Sequence, residues 1–293
     1  MRILLLLCCL FVGPTSALAA NCTTVRERAE RSAATADTNA MKSVYSEAAQ
    51  CDPTLGNWLG RRIATLEYNA AIAADPVDEA RLVASLNYGR PWQTLASLGD
   101  IASARKDRAL ASRHYQDALV IINDSQLTPS APEAAIIVTV RKKAEAASLL
   151  SPVYVSMPKA RDGSGSGLAA ITLRGVAVVD TALPIWFEFG RAEFSAEGQK
   201  AVDEVVEMLR SRSASQPVKL VGHTDEVGDA EFNRRLSFKR AERVRNYIVS
   251  RGVTVPIKVE GRGEDEPYLP DGTSDYSTDE LARMSRRVQL LLQ

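Results

Sequence analysis

A carboxylate and a guanidinium are predicted to lie close together in the C-terminal third of the chain. Asp225 follows an apolar run typical of a strand, in a loop that begins at Gly222 and leads into a helix. Arg240 lies on that helix, seven residues after Asn233, so the two side chains share nearly one helical face. The loop can pass over this face and bring Asp225 toward Arg240. Such a pair either ties loop to helix as an ion pair, or holds a ligand with one cation and one anion on the same carbon.

Catalytic and metal chemistry has less support at this position. His223 and Asp225 could begin a metal site, but the second of the two histidines, His114, lies in a different region. A catalytic zinc site needs more ligands than that. His223, Asp225 and Ser237 could be drawn as a hydrolase triad, but no nucleophile-elbow pattern accompanies them. The sequence therefore predicts a site that is not enzymatic and that uses no metal and no cofactor.

Strands and helices alternate around this site, from residue 183 to 293. Apolar runs predict strands at 185–189, 218–221 and 257–260 and a final strand at about 288–292. Helices are predicted at about 195–212 and 230–250, and a capping box at 277–280 starts a short third helix. The pattern predicts an α+β domain, a βαβαβ-type two-layer sandwich of helices on a sheet.

The ordered motifs of this domain resemble the OmpA-like C-terminal domain family. They are Gly222-His-Thr-Asp225, Gly228, Asn233, Leu236-Ser237, Arg240-Ala241 and Val244, then Gly261-Arg-Gly263 and Arg286-Arg287-Val288. The resemblance implies noncovalent binding of peptidoglycan through the diaminopimelate residue of its stem peptide.

The same resemblance implies a role for each matching residue. Asp225 would meet the ammonium group of diaminopimelate, and Arg240 would meet its carboxylate. Asn233 and Arg286 would complete the pocket, and Leu236 would form its wall. Ser285 stands where the family has an asparagine, so we expect a shorter contact at that corner, or none.

Residues 21–150 are alanine-rich, with apolar residues at helical spacing. Tyr45, Tyr68 and Tyr115 each precede small residues, a pattern similar to tetratricopeptide-type helical hairpins. The tyrosines are spaced irregularly, so a generic antiparallel bundle is an equal alternative. Either fold predicts a protein-interaction domain whose partner the sequence does not identify. Residues 151–182, with their Gly–Ser tract at 162–167, are predicted as a linker with some strand.

The first twenty residues have the features of a secretory signal peptide. A positive start, an apolar run at 3–12 and small residues before Asn21 predict cleavage after Ala19 or Ala20. The run is too short for a membrane anchor, and the residues before Cys8 and Cys22 do not fit a lipoprotein. Export predicts a disulfide between Cys22 and Cys51 rather than a metal or redox pair. We therefore expect a protein of the Gram-negative periplasm, associated with the cell wall.

The balance of positive and negative charges argues against nucleic-acid binding. Lysine plus arginine and aspartate plus glutamate both number 36, whereas a nucleic-acid binder usually carries a basic surplus. The sequence thus favours a peptidoglycan-binding domain that anchors a helical protein-interaction domain to the wall. Two alternatives stay open: a helical adaptor whose C-terminal domain is only structural, and a cell-wall hydrolase.

Overall fold

The computed structural model describes residues 15–161, 163, 165–170, 172–210, 212–213 and 215–292. The chain divides into two compact units, Met1–Arg90 and Pro91–Gln293. Across these described residues, no helix has both the length and the apolar character needed to cross a membrane. Most of the predicted signal peptide, residues 1–14, lies outside the described residues, so its cleavage stays a prediction.

The first unit is helical. Its helices are α1 at Thr15–Ala34, α2 at Thr38–Cys51, α3 at Pro53–Ile72 and α4 at Glu79–Ser85. Aspartate side chains cap α2 and α3 because Asp37 and Asp52 accept backbone N–H groups that have no partner within the helix. The predicted disulfide between Cys22 and Cys51 is confirmed, with Cα atoms 5.4 Å apart. It joins α1 to the end of α2.

Helices also open the second unit. They are α5 at Trp92–Ala104, α6 at Arg108–Asn123 and α7 at Ala134–Leu150. A Cβ on Gly99 would lie 2.5 Å from the ring of Tyr115, so only glycine lets α5 and α6 approach this closely. The tyrosine thus fills the space left by small residues, although the tetratricopeptide resemblance itself stays a prediction.

The segment that follows α7 is tied down by hydrogen bonds. The backbone N–H of Tyr154 donates to Glu197 at 2.6 Å, and its hydroxyl donates to Glu204 at 2.5 Å. A two-stranded hairpin then forms from β1 at Thr172–Leu173 and β2 at Val176–Ala177. Asp162 and Ser164 of the Gly–Ser tract lie outside the described residues.

A four-stranded sheet carries the rest of the unit. Its elements are β3 at Asp180–Leu183, α8 at Ala196–Arg210, β4 at Val218–Gly222, α9 at Ala230–Ser250, β5 at Ile257–Gly261, α10 at Thr278–Ser285 and β6 at Val288–Leu292. The strand order is β3-β6-β4-β5, in which only β4 and β5 are parallel. The predicted α+β class, a helical region followed by a sandwich of helices on a mixed sheet, is confirmed.

The strand predicted at 185–189 is wrong, because β3 lies earlier, at Asp180–Leu183. The carbonyl of Trp186 accepts the N–H of Ser195 at 3.0 Å, next to the start of α8. A Cβ on Gly198 would lie 1.9 Å from that carbonyl oxygen, so α8 occupies the space beside this segment. Phe187 makes only an isolated bridge with Phe194.

The two faces of the sheet carry different helices. Leu183 belongs to the core formed with α8 and α9, whereas its neighbour Ala182 packs with residues of α7 and α10. Successive residues of a strand point to opposite faces. Helix α7 therefore covers the face of β3 opposite α8 and α9, and the sheet begins before residue 183.

Candidate functional site

Two glycines let helix α9 lie directly against the carboxyl ends of the parallel strands. A Cβ on Gly222 would lie 2.0 Å from the carbonyl oxygen of Ser237, and one on Gly261 would lie 2.4 Å from the backbone nitrogen of Phe238. No other residue fits at such distances. The face of α9 that carries Asn233, Ser237 and Arg240 is buried at this edge.

Asp225 is held in the loop after β4, and its partner is Arg286 rather than Arg240. The Nη1 of Arg286 donates to Oδ2 of Asp225, and the N–H of Val227 donates to Oδ1 at 3.3 Å. The Asp225 side chain is 13% exposed, whereas that of Arg286 is 42% exposed. A predominantly buried carboxylate is thus paired with an arginine that reaches into solvent.

Arg240 is 6% exposed and is fixed from two sides. Its Nε donates to the carbonyl of Arg191 at 3.0 Å, and its guanidinium lies over the ring of Phe187, 5.1 Å from the centroid. Within the described part of the chain, its two terminal nitrogens have no acceptor. Burial and the nearby charge of Arg286 lower the pKa of Arg240 from 12.5 to about 10, with Asp225 opposing the shift. The side chain is therefore cationic at neutral pH and retains free donors.

Asn233 positions the loop. Its Nδ2 lies 3.3 Å from the carbonyls of Asp225 and Val227 and donates to Glu264 at 2.6 Å. The residue is 2% exposed, so the amide is committed to protein groups. Gly228, with φ +111°, lets the loop turn beside this amide.

The residues considered for catalysis, His223, Asp225 and Ser237, are not hydrogen-bonded to one another. Ser237 Oγ donates to the carbonyl of Arg234 and accepts the N–H of Gly263, both at 2.9 Å. Burial, then the charge of Arg287, lowers the pKa of His223 from 6.5 to about 4, so its imidazole is neutral near pH 7. Across the described residues, no group of three or more histidine, cysteine or acidic side chains could hold a metal ion.

The last two predicted positions, Leu236 and Ser285, differ in burial and in what they contact. Leu236 is half-buried and lines a pocket of about 400 Å³ with the 190–193 loop. Ser285 is buried; its hydroxyl donates to the carbonyl of Leu281 at 2.9 Å and accepts the N–H of Tyr268 at 3.1 Å. Its short side chain is thus used within its own helix and the preceding loop.

Known proteins resemble this part of the chain. A model of the OmpA family matches residues 186–278. Over 134 residues the chain is 31% identical to the peptidoglycan-associated lipoprotein of Pseudomonas aeruginosa, a match that covers 45% of this chain and 76% of that protein. The chain belongs to the OmpA family.

Two further known proteins also match part of the chain. Over 85 residues the chain is 34% identical to outer membrane protein A of Klebsiella aerogenes, which is 28% of this chain and 24% of that protein. The chain thus spans about a quarter of the length of that relative. A crystal structure of the peptidoglycan-associated lipoprotein from Burkholderia pseudomallei aligns with a TM-score of 0.32 and 24% identity, over 40% of this chain and 91% of that one.

Three supporting groups of the OmpA-family domain were missed by sequence reasoning. They are the carbonyl of Arg191, the ring of Phe187 and the carboxylate of Glu264. Phe187 lies in the segment predicted as a strand at 185–189, and Glu264 directly follows Gly263, but only the fold reveals what they contact. A backbone carbonyl leaves no residue signal at all, because every residue has one.

Proposed function

We propose that this chain binds peptidoglycan without reacting with it, through the diaminopimelate of the stem peptide, and so anchors its helical region to the wall in the periplasm. The observation that carries the proposal is the state of Arg240. This guanidinium is buried and held by Arg191 and Phe187, yet both terminal nitrogens lack an acceptor within the described chain. Those two nitrogens form the fork that binds a carboxylate in bidentate form.

The charges around Arg240 match an amino-acid head. Asp225 supplies the carboxylate for the ammonium group, and one ion pair with Arg286 leaves it further lone pairs to accept hydrogen bonds. Arg286 is exposed enough to shift toward the ligand carboxylate. Because Arg240 is already fixed, binding loses little side-chain entropy there.

Each of the other two predicted residues has a supporting role in this proposal. Asn233 shapes the loop that presents Asp225, so its effect on the ligand is indirect. Leu236 forms the apolar wall next to the 190–193 loop. The hydroxyl of Ser237 is used by Arg234 and Gly263 and makes no hydrogen bond with His223, which favours binding over hydrolysis.

The helical region is proposed to bind a protein partner. Its disulfide and aspartate caps support a rigid scaffold, which suits an adaptor in an oxidising compartment. A pull-down from periplasmic extract with the full chain as bait would identify this partner.

Co-sedimentation tests the proposed function. The full chain should sediment with purified diaminopimelate-type peptidoglycan and only weakly with lysine-type peptidoglycan, which lacks the second carboxylate. Asp225→Ala should stay in the supernatant, whereas Lys258→Ala, a change of one exposed charge on β5, should sediment like the unaltered chain. Equal sedimentation with both walls would refute diaminopimelate recognition. A steady fall in turbidity of the wall suspension would point to hydrolysis instead.

A further inference from the structure

The pocket of about 400 Å³ that Leu236 lines extends beyond the charged groups of the proposed zwitterion site. Its lining comes from the 190–193 loop and from Phe232, Arg235, Leu236 and Lys239 of α9. Arg191 links the two sites, because its carbonyl accepts the Nε of Arg240 at 3.0 Å. Leu236 precedes Arg240 by one helical turn, about 5.4 Å along the axis. A ligand held at Arg240 can therefore extend directly into this pocket.

The pocket has a small positive charge. Arg191, Arg235 and Lys239 line it together with the single acid Glu193, and Arg235 is already paired with Glu231. Among the described residues, no acidic side chain pairs with Arg191 or Lys239, and both are exposed. The charge left over suits one carboxylate better than a multiply charged anion such as phosphate.

The pocket also has an apolar side. Phe232 is 46% exposed and Leu236 is half-buried, so methylene groups of a peptide can pack there while its carboxylate reaches the cations. A stem peptide of the diaminopimelate type carries such a group. Its glutamate is linked through the γ-carboxyl, which leaves a free α-carboxylate beside two methylenes, in the residue before diaminopimelate.

We propose that this pocket binds the α-carboxylate of that γ-linked glutamate, with Arg191 and Lys239 as the charged contacts. The inference rests on the proposed function, since diaminopimelate at Arg240 sets the position of the preceding residue. With this pocket occupied, the protein recognises two successive residues of the stem peptide. Amidation of the glutamate would then weaken binding.

Calorimetric titration of the full chain with three probes tests this pocket. The probes are free diaminopimelate, the tripeptide L-alanyl-γ-D-glutamyl-diaminopimelate, and the same tripeptide with the glutamate α-carboxylate amidated. Exposed ion pairs contribute modestly, so we expect the acid tripeptide to bind about three- to tenfold more tightly than the amide. The preference should shrink as salt is added.

Variants separate this pocket from general charge effects. Arg191→Gln with Lys239→Gln should bring the two tripeptides to within about twofold of each other, because both cations are gone. Lys239→Gln alone, which leaves Arg191 in place, should reduce the preference and leave the affinity for free diaminopimelate unchanged. Lys200→Gln with Lys258→Gln makes the same change of net charge away from the pocket and should keep the preference.

The possible failures are distinct. Equal affinity of both tripeptides for the unaltered chain, with free diaminopimelate still bound, would overturn the second subsite and leave the proposed function standing. A preference that survives in the Arg191→Gln, Lys239→Gln variant would also overturn it. No binding of any probe would overturn the proposed function and this inference together.

Discussion

Two clusters of buried charge in the Pro91–Gln293 unit use the same residue types in different ways. On α7, Arg141 donates to Glu145 at 3.0 Å, to the carbonyl of Asp180 at 2.5 Å and to the hydroxyl of Thr181 at 2.7 Å. On α9, Arg240 donates to one carbonyl and lies over one aromatic ring. Both terminal nitrogens of Arg141 donate to protein groups, whereas those of Arg240 have no acceptor among the described residues. Arg141 holds elements of the fold together, whereas Arg240 keeps donors available for the ligand that we propose.

The largest effect on stability is expected at the α7 cluster. Glu145 is 6% exposed and also accepts the N–H of Ala182 at 3.3 Å, so it joins α7 to β3. Glu145→Ala should lower the free energy of unfolding by about 3 to 5 kcal/mol, because it leaves Arg141 buried without its partner. Chemical denaturation measures this loss, and the folded variant should still bind diaminopimelate.

A double variant sharpens that prediction. Arg141→Met with Glu145→Leu removes both charges and should recover much of the lost stability, since two well-packed apolar side chains can replace a buried ion pair. A double variant as unstable as Glu145→Ala would show that the hydrogen bonds of Arg141 to β3 matter more than the charge pair.

At Asp225 the opposite pattern is expected: a large loss of binding with little loss of stability. Asp225→Ala should weaken binding of a diaminopimelate stem peptide by about 2 to 5 kcal/mol, roughly 30-fold or more, because the ligand ammonium loses its partner in a partly desolvated site. The free energy of unfolding should change by only about 1 kcal/mol or less, since the pair with the exposed Arg286 contributes little. Titration and denaturation of the same sample check both values. A large loss of stability with near-normal binding would make Asp225 a structural residue.

A smaller, pH-dependent effect on stability is expected at a third charged cluster, formed by Arg108 and Glu280. Arg108 donates to Glu280 at 2.5 Å. Burial alone would raise the pKa of Glu280, but hydrogen bonds from the backbone of Ser277 and from Arg108 and Lys106 outweigh it and lower the pKa from 4.5 to about 2. A lowered carboxyl pKa stabilises the fold above pH 4.5, and this contribution is lost as the pH falls from about 4.5 to 2.

Glu280→Gln should remove that dependence. The variant should be less stable than the unaltered chain by about 1 kcal/mol at pH 7, and the two should converge as the pH falls to about 2 and the native carboxyl takes up its proton. Thermal melts across this range measure the difference. A constant difference at every pH would mean that the charge of Glu280 is not what stabilises α10.

The sequence predicts the elements of the OmpA-family domain better than the connections between its charges. The helix at Ala230–Ser250 follows directly from the spacing of its apolar residues, because this signal is local. The pairing of Asp225 with Arg286 was not anticipated, since the two lie 61 residues apart and meet only because β6 pairs with β4. The first strand lies at Asp180–Leu183 rather than at 185–189, and its position also depends on contacts between distant segments. Helix α8 packs against the backbone of Trp186, and the spacing of apolar residues in the sequence does not encode this contact.

The most direct test of the account compares two stem peptides that differ in one group. Calorimetric titration of the full chain should use a tripeptide that ends in diaminopimelate and one that ends in lysine, which lacks the second carboxylate. If the free nitrogens of Arg240 bind that carboxylate, the diaminopimelate peptide should bind about 30-fold or more tightly. The advantage should disappear in Arg240→Lys, because an ammonium group cannot offer the fork. Equal affinity of the unaltered chain for both peptides would contradict the account.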